Sequence, residues 1–299
     1  MPGIFVLLWA TGFIGAKYGL PYAEPFTLLT IRMYLTLIVI LALAGLYRTH
    51  WPDRRGTLHS LVVGTLVHAA YLGGVFSAIK LGMSAGLVSL LVGLQPVLTA
   101  LAAWGWLGQR LRPLQAFGLL LGLSGVAMVL LPESRDSYFS AYSITALYAA
   151  LVALFGISFG TLYQKRFCAG IPLLTGTFFQ YLAASLLLTM LAFVFETRQV
   201  DWQPTLVLTI LWLVFGLSLT AILLLMLMIR EGEAAKVASY FYLTPPVTAV
   251  MAGLLFGETL GTRAIAGILV TAAGVYLIVR RQRVPVGRQR ARVSLEDRE

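Results

Sequence analysis

Residues 205–229 carry no Asp, Glu, Lys, Arg or His, and six further stretches of comparable length share that property. Such a run cannot coat a water-soluble surface. About 20 apolar residues at about 1.5 Å rise match the roughly 30 Å hydrocarbon core of a bilayer. Ten stretches of this kind fit along the chain, at 4–20, 25–46, 58–79, 83–107, 113–131, 143–163, 172–195, 205–229, 237–256 and 264–279, and polar residues and prolines collect between them, as in 48–57 and 132–142. A barrel strand would alternate apolar and polar side chains over about ten positions, whereas 206–229 is apolar nearly throughout. The expected fold class is therefore all-α, a polytopic integral membrane bundle of ten transmembrane helices. Composition agrees: 59% hydrophobic and 11% charged residues leave too little polar surface for a soluble globule.

The net charge of +10 is concentrated in Arg280, Arg281, Arg283, Arg288, Arg290 and Arg292. A basic strip after a hydrophobic helix anchors topology and attracts anionic lipid headgroups, so membrane lipid, not nucleic acid, is the expected partner. Arg48, Arg54, Arg55, Arg110, Arg112, Lys165, Arg166, Arg230 and Lys236 fall on the same side as that tail. The opposite side holds only Lys17, Lys80, Arg135, Arg198 and Arg263, beside Glu24, Glu133, Asp136, Glu196, Asp201 and Glu258, which places both termini in the cytoplasm and the chain in the cytoplasmic (inner) membrane. The opening MPGIFVLLW lacks a basic n-region and reads as a retained first helix. Cys168 is the only cysteine, so neither a disulfide nor a thiolate metal cluster is available, and no cofactor or metal is expected.

Two parts of the chain echo each other. Gly82, Ala85, Ser89, Pro96 and Val97 recur 150 residues later as Gly232, Ala235, Ser239, Pro246 and Val247. With a one-residue slip, Gly108, Leu111, Gly118, Gly125 and Val126 recur as Gly257, Leu260, Gly267, Gly274 and Val275. Gly15, Tyr18 and Leu28-Leu29-Thr30 have weaker counterparts in Gly160, Tyr163 and Leu173-Leu174-Thr175. The expected organisation is a five-helix repeat over 1–132, a second over 133–281 and a basic cytoplasmic tail over 282–299. Five crossings reverse direction, so the second copy would lie upside down relative to the first, around a pseudo-two-fold axis in the membrane plane.

The run Trp9-Ala10-Thr11-Gly12-Phe13-Ile14-Gly15-Ala16-Lys17, with Arg32 in the second span, resembles the EamA branch of the drug/metabolite transporter superfamily. So do Leu94-Gln95-Pro96-Val97 with Gly108-Gln109-Arg110-Leu111, and Leu243-Thr244-Pro245-Pro246-Val247 with Gly257-Glu258-Thr259-Leu260. The resemblance covers nearly the whole chain. It implies two inverted five-helix repeats around a central cavity and movement of small metabolites, often amino acids or drugs, outward. Gln109 departs from the pattern, which has an acid there, as at Glu258.

Ionisable groups at membrane depth are costly, so each requires a role. Arg32 lies about two turns inside the second span, where it either pairs with a substrate carboxylate or snorkels to helix-end carbonyls. Lys17 either snorkels at the end of the first span or contributes to the cavity. His68 and Tyr71, spaced i, i+3, share a face, as do Thr177, Gln180 and Tyr181 in the seventh span and Ser239 and Tyr242 in the ninth. Such stripes line a cavity or tie helices together. Trp9 and Tyr163 are candidates to cap an aromatic cavity, with packing or interfacial anchoring as the alternative. Pro96, Pro245 and Pro246 are candidate hinges, expected to kink the fourth and ninth spans. Small-xxx-small pairs such as Gly118 and Gly122 read as helix-contact signals.

No nucleophile with a base, paired carboxylates or metal cluster lies at membrane depth, so an enzyme is not expected; His50, His59 and His68, nine residues apart, do not share one helical face. The expectation is a transporter of small amphipathic metabolites working by alternating access, with efflux favoured by the resemblance. An uptake carrier of the same fold, or a receptor or scaffold, is the alternative. Every acid sits near a helix end or loop, so movement down a gradient, or coupling without a buried acid, is expected. Monomer and homodimer both fit.

Overall fold

Local chemistry sets where each helix begins. The computed structural model describes residues 2–107, 113–130, 143–220, 243–258 and 261–280. Its helices are α1 (Pro2–Gly19), α2 (Pro25–Leu46), α3 (Arg54–Lys80), α4 (Ala85–Val92), α5 (Gln95–Leu107), α6 (Pro113–Leu130), α7 (Ile144–Phe167), α8 (Leu173–Phe195), α9 (Pro204–Thr220), α10 (Thr244–Phe256) and α11 (Thr262–Arg280). Asp53, Ser84 and Ser143 cap α3, α4 and α7 by accepting from Gly56 N, Leu87 N and Ala146 N. Pro25 and Pro204 open α2 and α9, where a missing N–H costs nothing. At the far ends, Gly82 after α3 and Gly257 after α10 take φ of +96° and +65°, the left-handed region that a Cβ disfavours.

Among the described residues the only pairing outside helices is an isolated bridge between Ala23 and Val200. Four helices, α2, α3, α7 and α8, are long and apolar enough to cross a membrane, and shorter apolar segments lie in α4–α6 and α9–α11. Ile38, Met190, Phe193 and Leu254 stand exposed on the outside of the bundle, where a soluble protein would place polar groups. This is an all-helical membrane protein.

The fourth span is not the single kinked helix expected from Pro96. It is broken into α4 and α5, with Gly93 and Leu94 between them. Pro96 offers no N–H to the carbonyl four residues back, at Val92, and its ring crowds that carbonyl, so the first helix stops there and a second begins at Gln95. Pro245 and Pro246 sit in the first turn of α10 as described, and the residues that would precede a kink there lie outside the described residues. The ninth span's expected start at 237 and the eighth span's expected end at 229 lie outside the described residues. Two long helices carry an irregularity with no counterpart in the sequence reading: Gly64–Ala70 within α3 and Trp212–Thr220 within α9 are wound as π-helix.

Three helix pairs pack antiparallel at close range. A Cβ on Gly125 of α6 would lie 2.5 Å from the Gly267 carbonyl of α11, and one on Gly274 would lie 2.6 Å from the Gly118 carbonyl. A Cβ on Gly86 of α4 would meet Ala249 of α10 at 3.3 Å, and one on Gly93 would meet Pro245 at 3.0 Å. At one end of the α2/α8 pair, Glu196 accepts from Phe26 N and Thr27 N at 2.7 Å each; at the other, Thr175 Oγ1 donates to the His50 carbonyl at 2.8 Å. Glu196 thereby caps α2 from 170 residues away.

Glu24 reciprocates, accepting from Thr197 N, Thr197 Oγ1 and Arg198 N. Partial burial raises its pKa, but these hydrogen bonds and the nearby Lys80 outweigh that and hold it below the ordinary carboxylate value. A depressed folded-state pKa stabilises the fold above the unfolded-state pKa, and the contribution is lost as pH falls through the folded value. Glu24→Gln is therefore expected to lower thermal stability at neutral pH and to flatten its loss below about pH 4.5. Parallel pH profiles of wild type and variant would contradict this.

Candidate functional site

The inward stripe of α2 runs through Leu28, Leu29, Arg32, Met33, Thr36 and Ile40, all buried. Helical periodicity thus carries a guanidinium into the core beside side chains fully removed from solvent. Arg32 is 3% exposed. Its Nη2 donates to Ser218 Oγ at 3.2 Å, and among the described residues its Nε and Nη1 have no hydrogen-bond partner. Tyr71, Tyr181 and His68 are near enough to couple to it electrostatically.

These neighbours form one cluster from five helices. His68 lies in the π-wound part of α3, its Nε2 3.3 Å from Gln180 Oε1 of α8 and its ring centroid 4.4 Å from that of Tyr181. Tyr71, three residues on, lies near the Trp9 indole of α1. Gln180, Tyr181 and Thr177 are buried along one side of α8. Ser218 comes from the π-wound part of α9. Gly156 and Gly160 of α7 let the α3 backbone come close from behind, since a Cβ on Gly156 would lie 2.7 Å from the Leu66 carbonyl.

Buried donors without partners are disfavoured, and a buried unpaired guanidinium more so. Arg32 is therefore set to receive an oxygen ligand on Nε and Nη1. A carboxylate can fork onto either edge that Nη2 shares, with Nε or with Nη1, because its two oxygens accept from parallel N–H groups. Hydroxyl and indole groups can orient the rest of the molecule.

The other candidate residues lie elsewhere. Lys17 belongs to one end of the bundle. It pairs with Glu258, stands 4.6 Å from the Phe256 ring centroid, and shares Glu258 with the backbone N–H of Ala85 at the start of α4. Tyr18 packs on Phe256 at 4.8 Å. Tyr163 belongs to the opposite end, where its hydroxyl is 2.9 Å from His59 Nδ1 and both rings meet Phe167. Trp51 packs against Phe178 and Phe179 at that same end. Ser239 and Tyr242 lie outside the described residues, as do Gln109, Lys236 and the tail at 282–299. Among the described residues no group of His, Cys, Asp and Glu could hold a metal ion.

The Lys17–Glu258 pair ties α1 to the segment after α10 and to the start of α4. Reversing either charge alone, Lys17→Glu or Glu258→Lys, is expected to slow transport by roughly fivefold, about 1 kcal/mol of repulsion. The double reversal should restore most of it. Vesicle flux measurements that found the double variant as slow as the worse single one would show that the pairing is not what matters.

Sequence reasoning missed Ser218, a lone hydroxyl in an apolar run. The signal was present: Ser218 follows His68 by 150 residues, the spacing that relates Gly82 to Gly232 and Pro96 to Pro246.

Apolar helices closing on a buried polar cluster mark a polytopic membrane protein. The model of the EamA-like transporter family matches residues 4–131 and again 144–280, and the chain belongs to that family. It is similar to the uncharacterized transporter YvbV of Bacillus subtilis, at 26% identity over 91% of this chain and 88% of that one. A probable amino-acid metabolite efflux pump of Salmonella typhimurium is 29% identical over 97% of this chain and 96% of that one. The uncharacterized inner membrane transporter YedA of Escherichia coli is 26% identical over 91% and 89%. A solved crystal structure shares the fold, with a TM-score of 0.64 at 21% identity over 95% of this chain and 97% of that chain.

Proposed function

We propose that this transporter carries small carboxylate-bearing amphipathic metabolites, amino acids or related compounds, outward across the cytoplasmic membrane, with Arg32 as the carboxylate anchor. The observation that carries the reading is the buried Arg32 guanidinium with Nε and Nη1 unfilled, ringed by Trp9, His68, Tyr71, Gln180, Tyr181 and Ser218. Thr177 extends the same wall. The relative named as a probable amino-acid metabolite efflux pump supports both the cargo class and the direction.

Alternating access follows from two inverted five-helix halves, residues 1–132 and 133–281, within ten crossings. The antiparallel pairs α2/α8, α4/α10 and α6/α11 join spans that occupy equivalent places in the two halves, as an in-plane two-fold axis requires. His68 and Ser218, in equivalent π-wound segments, approach Arg32 and its surroundings from the two halves. With both termini cytoplasmic, the Lys17–Glu258 pair lies at the outer mouth and the His59–Tyr163–Phe167 cluster at the inner one. The moving parts on this reading are the α4/α5 break and the start of α10, and the basic tail at 282–299 rests on anionic headgroups.

A metabolite panel tested for flux in reconstituted vesicles decides the matter. Arg32→Ala should weaken transport of carboxylate-bearing compounds at least about tenfold more than that of neutral ones. Equal loss for both classes would make Arg32 a purely structural residue.

A further inference from the structure

We infer that the Arg32 site selects a net monoanion, a small carboxylate whose amine is absent or blocked, over the zwitterion of a free amino acid. This rests on the reading of Arg32 as the carboxylate anchor and narrows it by charge.

Among the described residues, Arg32 is the only formally charged side chain in the cluster. The described acids nearest in sequence to the clustered helices, Glu24, Asp53, Glu196, Asp201 and Glu258, all sit at helix ends or in loops. Glu24 and Glu196 are engaged by backbone N–H groups, and Glu258 by Lys17. Among the described residues the site therefore holds a buried positive charge with no protein counter-charge. A bound monoanion brings it to neutrality; a zwitterion leaves the same excess charge and adds a second cation.

The hydrogen-bonding inventory points the same way. Open donors are Arg32 Nε and Nη1. Ser218 Oγ already accepts from Arg32 and Gln180 Oε1 faces His68, so an ammonium group, which needs about three acceptors, finds two of them partly engaged. In an α-amino acid the ammonium nitrogen is two bonds from the carboxylate carbon. Once the carboxylate is forked onto the guanidinium, that nitrogen is held close to Arg32, in a medium that screens poorly. Acylating the amine removes the repulsion and leaves a carbonyl and an N–H for the surrounding Tyr, His and Gln groups.

Selection of a monoanion also supplies the energy for export. A membrane potential negative inside drives an anion outward, so a carrier of this kind needs neither a buried acid nor a proton gradient.

The test uses the purified full chain in liposomes and four charge forms of each of several side chains, leucine, phenylalanine and threonine among them. The forms are the N-acetyl amino acid, the free amino acid, the amino-acid amide and the N-acetyl amide. The N-acetyl acid is expected to show about tenfold or higher kcat/KM than the free amino acid with the matching side chain. A potassium–valinomycin potential, negative on the side of departure, should speed its flux. Arg32→Gln should reduce that flux to the level of the N-acetyl amide. Free amino acids moving as fast as their N-acetyl forms, with Arg32→Gln still abolishing both, would overturn the charge rule and leave the anchor standing. Flux that ignores Arg32→Gln, or no flux for any form, would overturn both. The wild-type ratio decides the charge rule even where the variant fails to insert.

Discussion

Arg32→Leu is expected to cut transport of carboxylate-bearing substrates by about a hundredfold while leaving thermal stability unchanged or raised. The two effects share one cause. A structural arginine at this depth would have its donors filled, and its loss would leave buried acceptors unpaired at a cost of about 1–3 kcal/mol. Among the described residues Arg32 has one hydrogen-bond partner, Ser218, and two nitrogens without one. Replacing a buried, poorly compensated charge with an apolar side chain of similar reach is commonly neutral or stabilising by about 1–4 kcal/mol. Losing a forked, charge-assisted contact to cargo costs about 2–5 kcal/mol, which spans the hundredfold. Arg32→Lys should fall between, since an ammonium keeps the charge and loses the fork. The measurement is a thermal unfolding scan in detergent beside vesicle flux. A large drop in midpoint for Arg32→Leu would mean that the guanidinium holds the bundle together.

Part of this site was legible before any coordinates. Trp9, Arg32, His68, Tyr71, Thr177, Gln180 and Tyr181 were singled out because polar groups at membrane depth must face protein, and the helices do bring them together. Periodicity puts His68 with Tyr71, and Thr177 with Gln180 and Tyr181, on shared helix faces; that those faces meet around Arg32 is a tertiary fact. Pairings across long stretches of chain were not legible. Lys17 and Glu258 are separated by 241 residues, and each alone looks like an ordinary helix-end charge. Glu196 capping α2 has the same character: the acid sits at the end of one helix and serves the start of another.

Backbone irregularities were the harder part. Proline signals a disturbance in the fourth span, but the close approach at the break, where a Cβ added to Gly93 would lie 3.0 Å from the Pro245 ring, is a tertiary fact. The π-wound segments of α3 and α9 carry no compositional signature, because a single extra residue per turn costs little in propensity and is held by packing. Yet they position His68 and Ser218. The 150-residue repeat links the two, which a search for equivalent positions around each ionisable residue would have exposed.

Gly64→Ala tests how tightly that irregular segment is held. Gly64 opens the π-wound stretch of α3 and presses on α8 at Gln180, where an added Cβ would overlap the Gln180 carbonyl and lie 2.6 Å from its Cα. Backbone blocks the methyl from both sides, so no side-chain rotation relieves it, and one helix must move away from the other. The expected loss is about 3 kcal/mol, the upper part of the range for overpacked cores. Because Gln180 faces His68 and adjoins Tyr181, the displacement should also slow transport well beyond what the loss of folded protein explains. Gly45→Ala supplies the contrast. That glycine sits near the end of α2 with nothing within 4 Å of a built Cβ, so alanine should stabilise by about 0.5–1 kcal/mol through helix propensity alone. Thermal scans at one fixed rate would separate the two variants in opposite directions. A Gly64→Ala protein as stable and as active as wild type would mean that α3 and α8 can part without harm, and that the π-wound segment does not depend on their close approach.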